Sequence, residues 1–176
     1  MVSITDFDSV RIGSSPVRVT KNIMKYKISF EDINKIKEVY KNGNDTRYVP
    51  SNSDDINSPY FIKSERFFCD LKNDELLDII KNNIPIDDVN ECITSIHYIN
   101  YKKGEGAKEH SDIGASNKTF IFILNDEFEG GEFHLDKNYV PLVKGDIIAF
   151  NGNQLHLVKP IKKGNREVLV VFLKNK

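Results

Sequence analysis

The sequence has no tryptophan and only two cysteines, Cys69 and Cys92. Two thiols build neither a disulfide framework nor a zinc knuckle, so both are expected to be reduced and the compartment cytoplasmic. No apolar run exceeds the six residues Val168–Leu173, far short of the roughly 20 needed to span a bilayer. The first ten residues hold no apolar stretch, so no secretory signal is expected. Positive charge is not in excess either: 25 Lys and Arg face 26 Asp and Glu, for a net charge of -1. That balance argues against a life on nucleic-acid phosphates, which needs a basic excess or stripe. Arginine itself is scarce, 5 residues against 20 lysines, so each arginine is informative.

What is present suits an ordinary globular protein. The 176 residues are 39% hydrophobic and 29% charged, enough for a full core without disulfide or metal staples. A single domain is expected over 1–176. Its first part, 1–92, mixes short strand-like pieces with two amphipathic helices. Ser29 caps the first, with Asp32 three residues on as a capping-box variant. Phe30, Ile33, Ile36, Val39 and Tyr40 follow at helical spacing, and Asn42-Gly43 ends it. The second begins near Asn73, carries Asp74 and Glu75 in its first turn, presents Leu76, Leu77, Ile79 and Ile80, and stops at Pro85. Between them 42–59 reads as a long polar loop. Loops of that length are functional or disordered. It is expected to lie near a pocket mouth, or else to be a mere surface connection.

From Ile93 the period becomes strand-like. Strands are expected at Ile93–Tyr101, Ala107–Asp112, Lys118–Leu124, Gly131–Leu135, Tyr139–Val143, Asp146–Phe150, His156–Pro160 and Arg166–Leu173. Glycine- and asparagine-bearing turns separate them. Eight short strands with polar turns suggest a double-sheet jelly roll with the helices packed outside. The fold class is therefore α+β, mainly β.

Three positions carry candidate chemistry. His110 and Asp112, two apart on a strand, would share a face. With 4 histidines and 15 aspartates in 176 residues, a chance His-x-Asp is expected about 0.3 times, so the pair is weak alone. His156 opens an apolar strand and by itself reads as a core or rim histidine. Together the three make two histidines and one carboxylate, the facial set that holds non-haem Fe(II) with open positions. Arg166 heads the last strand, whose Val168, Val170 and Phe172 share its face. A guanidinium there either turns outward to pair with Glu167 or Asp146, or stays inside and requires an anionic ligand such as a dicarboxylate.

The run Tyr101-Lys102-Lys103-Gly104, His110-x-Asp112, Leu124-Asn125, Gly130-Gly131-Glu132, then His156-x-Val158-x-Pro160 and Gly164-x-Arg166 resembles the Fe(II)/2-oxoglutarate-dependent oxygenases, in the prolyl 4-hydroxylase-like branch. The resemblance covers about residues 95 to 175. It implies a double-stranded β-helix core over 93–176, braced by helices from 1–92. It implies iron on His110, Asp112 and His156, and the distal carboxylate of 2-oxoglutarate on Arg166, with Tyr101 lining the same pocket. O2 as oxidant, ascorbate as reductant and a prolyl residue of a protein or peptide as substrate are implied too. Ile123 stands where some relatives have a tyrosine, and Thr119 is a candidate for the missing hydroxyl. Relatives that repair nucleic acid carry a further arginine where this chain has Val168–Leu173, which weighs against that substrate. Two rivals remain: an oxygenase of this type acting on another amino acid, a small molecule or a nucleic acid, and a non-catalytic metal-binding jelly roll. His97 and His134 read as structural. Tyr98, Phe120 and Phe122 read as packing. Lys159, Lys162 and Lys163 read as a solvated turn, or as a lure for an acidic substrate.

Overall fold

The computed structural model describes residues 17–20, 23–42, 46–49, 62–87 and 90–176. Its elements in chain order are β1 (Val17–Thr20), β2 (Ile23–Lys27), α1 (Phe30–Asn42), β3 (Thr46–Val49), β4 (Ile62–Lys63), β5 (Glu65–Cys69), α2 (Asp74–Asn83), β6 (Glu91–Tyr101), β7 (Gly106–His110), β8 (Lys118–Ile123), β9 (Phe128–Gly130), β10 (Phe133–Leu135), β11 (Asn138–Val140), β12 (Asp146–Asn151), β13 (His156–Val158), β14 (Ile161–Gly164) and β15 (Arg166–Asn175). No helix among the described residues is long and apolar enough to cross a membrane.

Two antiparallel sheets form the roll. The larger has the order β1-β2-β12-β8-β15-β6-β5-β3 and the smaller β11-β10-β13-β7-β4. A separate ribbon joins β14 to β9. Period-2 alternation sends each large-sheet strand to two different cores. Phe120 and Phe122 of β8, Ile96 and Tyr98 of β6, and Leu169 and Val171 of β15 pack on the helix side with Ile33, Ile36, Leu76, Ile79 and Ile80. The alternate residues Ile121, Ile123, Ile99, Val168 and Val170 turn inward, where they meet Phe133, Leu135 and Val158 of the smaller sheet. The helices thus brace one sheet, as expected.

Both helices begin where the capping residues stand. The Asp32 amide donates to Ser29 Oγ at 3.0 Å and the Leu76 amide to Asn73 Oδ1 at 2.9 Å, satisfying amides that have no partner within the helix. Tyr40 stacks on Tyr98 with centroids 3.9 Å apart, fastening α1 to the sheet. Phe30 departs from its expected place. It is 65% exposed and lies under the Lys144 ammonium, 5.1 Å from the ring centroid.

Several strand limits differ from expectation. The expected strand Ala107–Asp112 stops at His110, because the Asp112 carbonyl accepts the Ala115 and Ser116 amides and turns the chain. Ile161–Gly164 is a strand, not a turn; it pairs with Phe128–Gly130, which was not expected as a strand either. The polar run 42–59 is not one loop: Thr46–Val49 pairs with β5. Residues 43–45 and 50–59 lie outside the described residues, and with them the expectation that this loop lies at the pocket mouth.

The Phe122 ring is fully buried between large sheet and helices. Phe122→Ala should cost about 3–5 kcal/mol. Urea denaturation followed by circular dichroism should show a lower midpoint at an unchanged slope. An unshifted midpoint would disprove this placement.

Candidate metal centre

Strand register brings the triad together. β13 pairs antiparallel with β7 so that His156 lies opposite His110, and their rings approach to 4.3 Å between centroids. Asp112 arrives from the turn that ends β7. One ligand atom from each of His110, Asp112 and His156 lies within 4.8 Å of the others. Asp112 Oδ2 is 3.7 Å from His156 Nε2. Among the described residues no other group of three such side chains meets this closely.

Both imidazoles are held by main chain. His110 Nδ1 donates to the Lys108 carbonyl at 2.7 Å, and His156 Nδ1 donates to the Gln154 carbonyl at 3.1 Å. A carbonyl only accepts, so the proton sits on Nδ1 and each Nε2 lone pair is free to bind a metal. Burial, reinforced by the neighbouring His110, pushes the His156 pKa below its ordinary value. The imidazole is therefore kept in the neutral state that a metal requires.

The carboxylate is held as well. Thr119, at the start of β8, donates from Oγ1 to Asp112 Oδ2 at 2.8 Å, and Ser116 Oγ lies 2.8 Å from Thr119 Oγ1. The sequence put Thr119 forward as a co-substrate hydroxyl. The structure gives that hydroxyl these two partners. Gly152 locks the Asp112 turn to the loop before His156: its amide donates to the Asn117 carbonyl, and a Cβ there would collide with the Ser116 carbonyl. Asp136 adds a further brace, accepting from Gln154 Nε2 at 2.7 Å and the Leu155 amide at 3.2 Å.

Arg166 points inward. It is 2% exposed, pairs across the sheet with Tyr101, and sets its guanidinium 5.8 Å from the Tyr101 ring centroid. The surface alternative is excluded, since Asp146 is taken by Lys25 and Lys27 and Glu167 by Lys37. Arg166 Nη2 is buried without a hydrogen-bond partner. Burial lowers the pKa of the group, while Tyr101 works in the opposite direction. A buried cationic donor with no acceptor is costly, so the pocket fits an incoming carboxylate. Gly131 makes room for it. The glycine has φ +66, and a Cβ there would lie 2.5 Å from Ile161 Cδ1 and 3.2 Å from Arg166 Cδ.

Some supporting groups were not found by reading side chains. The Lys108 and Gln154 carbonyls are main chain and leave no trace in residue type. Asn125 was noticed only as part of a Leu-Asn motif. Its Oδ1 accepts from the Glu167 amide at 2.8 Å and its Nδ2 donates to the Asn165 carbonyl at 2.9 Å, so it grips the backbone on both sides of Arg166. The basic cluster lies elsewhere: Lys159 and Lys162 line a groove with Glu132, His134 and Tyr139, on the face of the smaller sheet opposite its core.

Comparison with known proteins places this geometry. Residues 96–174 match the model of the 2OG-Fe(II) oxygenase superfamily, the part of the chain that forms most of the roll. That family uses Fe(II), 2-oxoglutarate and O2. A PKHD-type hydroxylase of Delftia acidovorans is 36% identical over 67 residues, which are 36% of this chain and 28% of that protein. The fold is similar to a viral collagen prolyl hydroxylase of Paramecium bursaria Chlorella virus-1, solved in its 2OG complex. The TM-score is 0.63 at 19% identity, over 87% of this chain and 96% of that one. It is similar also to a Pseudomonas putida prolyl-4-hydroxylase, with a TM-score of 0.63 at 14% identity, over 90% and 95% of the two chains.

Thr119→Val keeps the shape and removes the donor to Asp112. Metal affinity should fall about tenfold to a hundredfold, the usual effect of losing such a supporting bond. Competition titration against a chromophoric chelator measures it, and an unchanged affinity would remove Thr119 from the centre.

Proposed function

We propose that this chain is an Fe(II)- and 2-oxoglutarate-dependent oxygenase that hydroxylates a substrate C–H. The observation that carries the proposal is the orphaned Nη2 of Arg166, buried beside Tyr101 on the inner face of the sheet that supports the triad. A metal-binding roll without a co-substrate has no use for that buried cation. In the proposal His110, Asp112 and His156 hold the metal by two Nε2 atoms and a carboxylate, leaving positions open for other ligands. Arg166 takes the far carboxylate of 2-oxoglutarate, through a pair of charge-assisted hydrogen bonds.

Bound Fe(II), with O2 and 2-oxoglutarate, supplies the oxidising chemistry: one oxygen atom goes into the substrate C–H as a hydroxyl, the other into succinate, and CO2 leaves. The protein's own work is to orient and to exclude water. The Lys108 and Gln154 carbonyls hold the two imidazoles in one tautomer. Thr119 orients Asp112. Ile121, Val170, Phe150 and Phe133 belong to the buried apolar cluster of the inner face. Phe150 and Phe133 also wall His156, at 4.9 and 6.1 Å between ring centroids.

For the substrate we take a prolyl residue of a protein or peptide, a choice supported by the names of the two structural relatives. We take residues 1–176 as one functional unit. The setting proposed is a reducing one, the cytoplasm, which suits the two unpaired thiols, Cys69 and Cys92, and keeps iron ferrous.

The test is Fe(II)-dependent formation of succinate from 2-oxoglutarate by the purified protein, with ascorbate present. His110→Ala, Asp112→Ala and His156→Ala should each abolish it. Arg166→Ala should raise the apparent KM for 2-oxoglutarate by at least about tenfold, as a charge-assisted pair is lost, with Fe(II) binding nearly intact. Arg166→Lys should fall between, since it keeps the charge and loses the fork. Absence of succinate from the wild type, or an unchanged KM in Arg166→Ala, would overturn the proposal.

A further inference from the structure

His156 hangs on a main-chain carbonyl, and that carbonyl is itself held by side chains. It belongs to Gln154, on the short loop between β12 and β13, and it accepts from His156 Nδ1 at 3.1 Å. The Gln154 side chain is fastened at both ends. Its Oε1 accepts from the Asn151 amide at 2.9 Å, and its Nε2 donates to Asp136 Oδ2 at 2.7 Å. The other oxygen of the same carboxylate, Asp136 Oδ1, accepts from the Leu155 amide at 3.2 Å. The Gln154 carbonyl and the Leu155 amide are the two ends of one planar peptide unit. Asp136 therefore grips the N–H end of the peptide whose C=O end grips His156. If that plane rotates, both bonds go together.

The clasp has a fixed polarity. A main-chain amide only donates and a carboxylate only accepts, so Gln154 must face Asn151 with oxygen and Asp136 with nitrogen. Gln154 is 9% exposed, so a partner lost there is not simply replaced by bulk water. Asp136 reaches the loop from the tight turn between β10 and β11, where Asp136 and Lys137 both adopt left-handed φ, 48° and 67°. Glycine suits the second of these positions far better than lysine. Such a conformation persists where its surroundings over-determine it. Here they do: the Asp136 amide donates to the Leu155 carbonyl at 2.7 Å, Asn138 Nδ2 donates to the Asp136 carbonyl at 3.0 Å, and the carboxylate takes its two donors from the loop.

We propose that Asp136 and Gln154 are positioning residues for the metal centre: by locking the peptide between residues 154 and 155 they set the rotation and the tautomer of His156. This deepens the oxygenase reading and rests on it in taking His156 as a metal ligand.

The test exchanges the two ends of the Asp136–Gln154 bond. Asp136→Asn turns an NH2 towards the Gln154 NH2, and Gln154→Glu sets a carboxylate against a carboxylate. The double variant restores every bond with the polarity reversed: Nδ2 at 136 donates to the carboxylate at 154, which still accepts from the Asn151 amide, and Oδ1 at 136 still accepts from the Leu155 amide. Long-range 1H–15N spectra of metal-free, 15N-histidine-labelled protein read the tautomer of each histidine, and His156→Gln identifies the His156 signals. Competition against a chromophoric chelator reads Zn(II) affinity. The wild type should show His156 protonated on Nδ1. Each single variant should mix the two tautomers of His156, leave the His110 signals in place, and weaken Zn(II) binding about tenfold. The double variant should recover both the single tautomer and the affinity. Unchanged His156 signals in Asp136→Asn overturn the proposal, even where affinity or the denaturation midpoint falls, because the clasp would then be merely structural. A double variant no better than the singles overturns it too. The tautomer readout needs no metal, so it decides the clasp independently of the oxygenase reading, which stands or falls on succinate formation by the Fe(II) protein.

Discussion

A guanidinium buried at the head of β15 is the constraint around which the roll is arranged. Its charge has left water, its neighbours are apolar, and one of its nitrogens has no acceptor. Such a group persists only where the surroundings hold it and a ligand compensates it. The holding is visible. Asn125 bonds the backbone on either side, Gly131 leaves space for the aliphatic stem, and Tyr101 offers its ring. The inward face of the large sheet carries this orphaned cation, while its outward face, against α1 and α2, is plain hydrophobic packing.

The candidate metal centre is held differently. None of its three ligands is held by side-chain packing alone. Each imidazole is tied to a carbonyl of the residue two positions before it, and the carboxylate to a threonine that begins the next long strand. Position, tautomer and rotation are therefore written into β7, β13 and β8, elements that the cores already make rigid. A site supported this way keeps its geometry through small changes elsewhere.

Much of this was legible in the sequence, and the reasons differ by residue. Alternation made Val168, Val170 and Phe172 recognisable as the face of Arg166, because strand period is 2, and Tyr98, Phe120 and Phe122 read as packing, which is where they lie. The triad and Arg166 were legible because few histidines and arginines exist to confuse them, and their spacing resembles a known pattern. Asp112 was read onto a strand and lies in a turn, since the alternation rule gives the same facing for both and cannot see a carbonyl collecting two amides. The ribbon of β9 and β14 was missed because the Gly130-Gly131 and Lys163-Gly164 turn signals overrode three- and four-residue strands. His97 read as an ordinary core histidine. Only the coordinates show that one of its nitrogens lacks a partner.

The strand order has a consequence for how the chain comes off the ribosome. β15 lies in the middle of the large sheet, between β8 and β6, yet it follows all of the other strands in the chain. Until it emerges, β8 and β6 have a missing neighbour and offer bare edges to any passing strand. Closure thus waits for β15, and the strand that zips the sheet also carries the arginine. A nascent chain halted before residue 166 would own His110, Asp112 and His156 and a half-open roll. It would be a species for chaperones to shield rather than a reduced version of the finished protein.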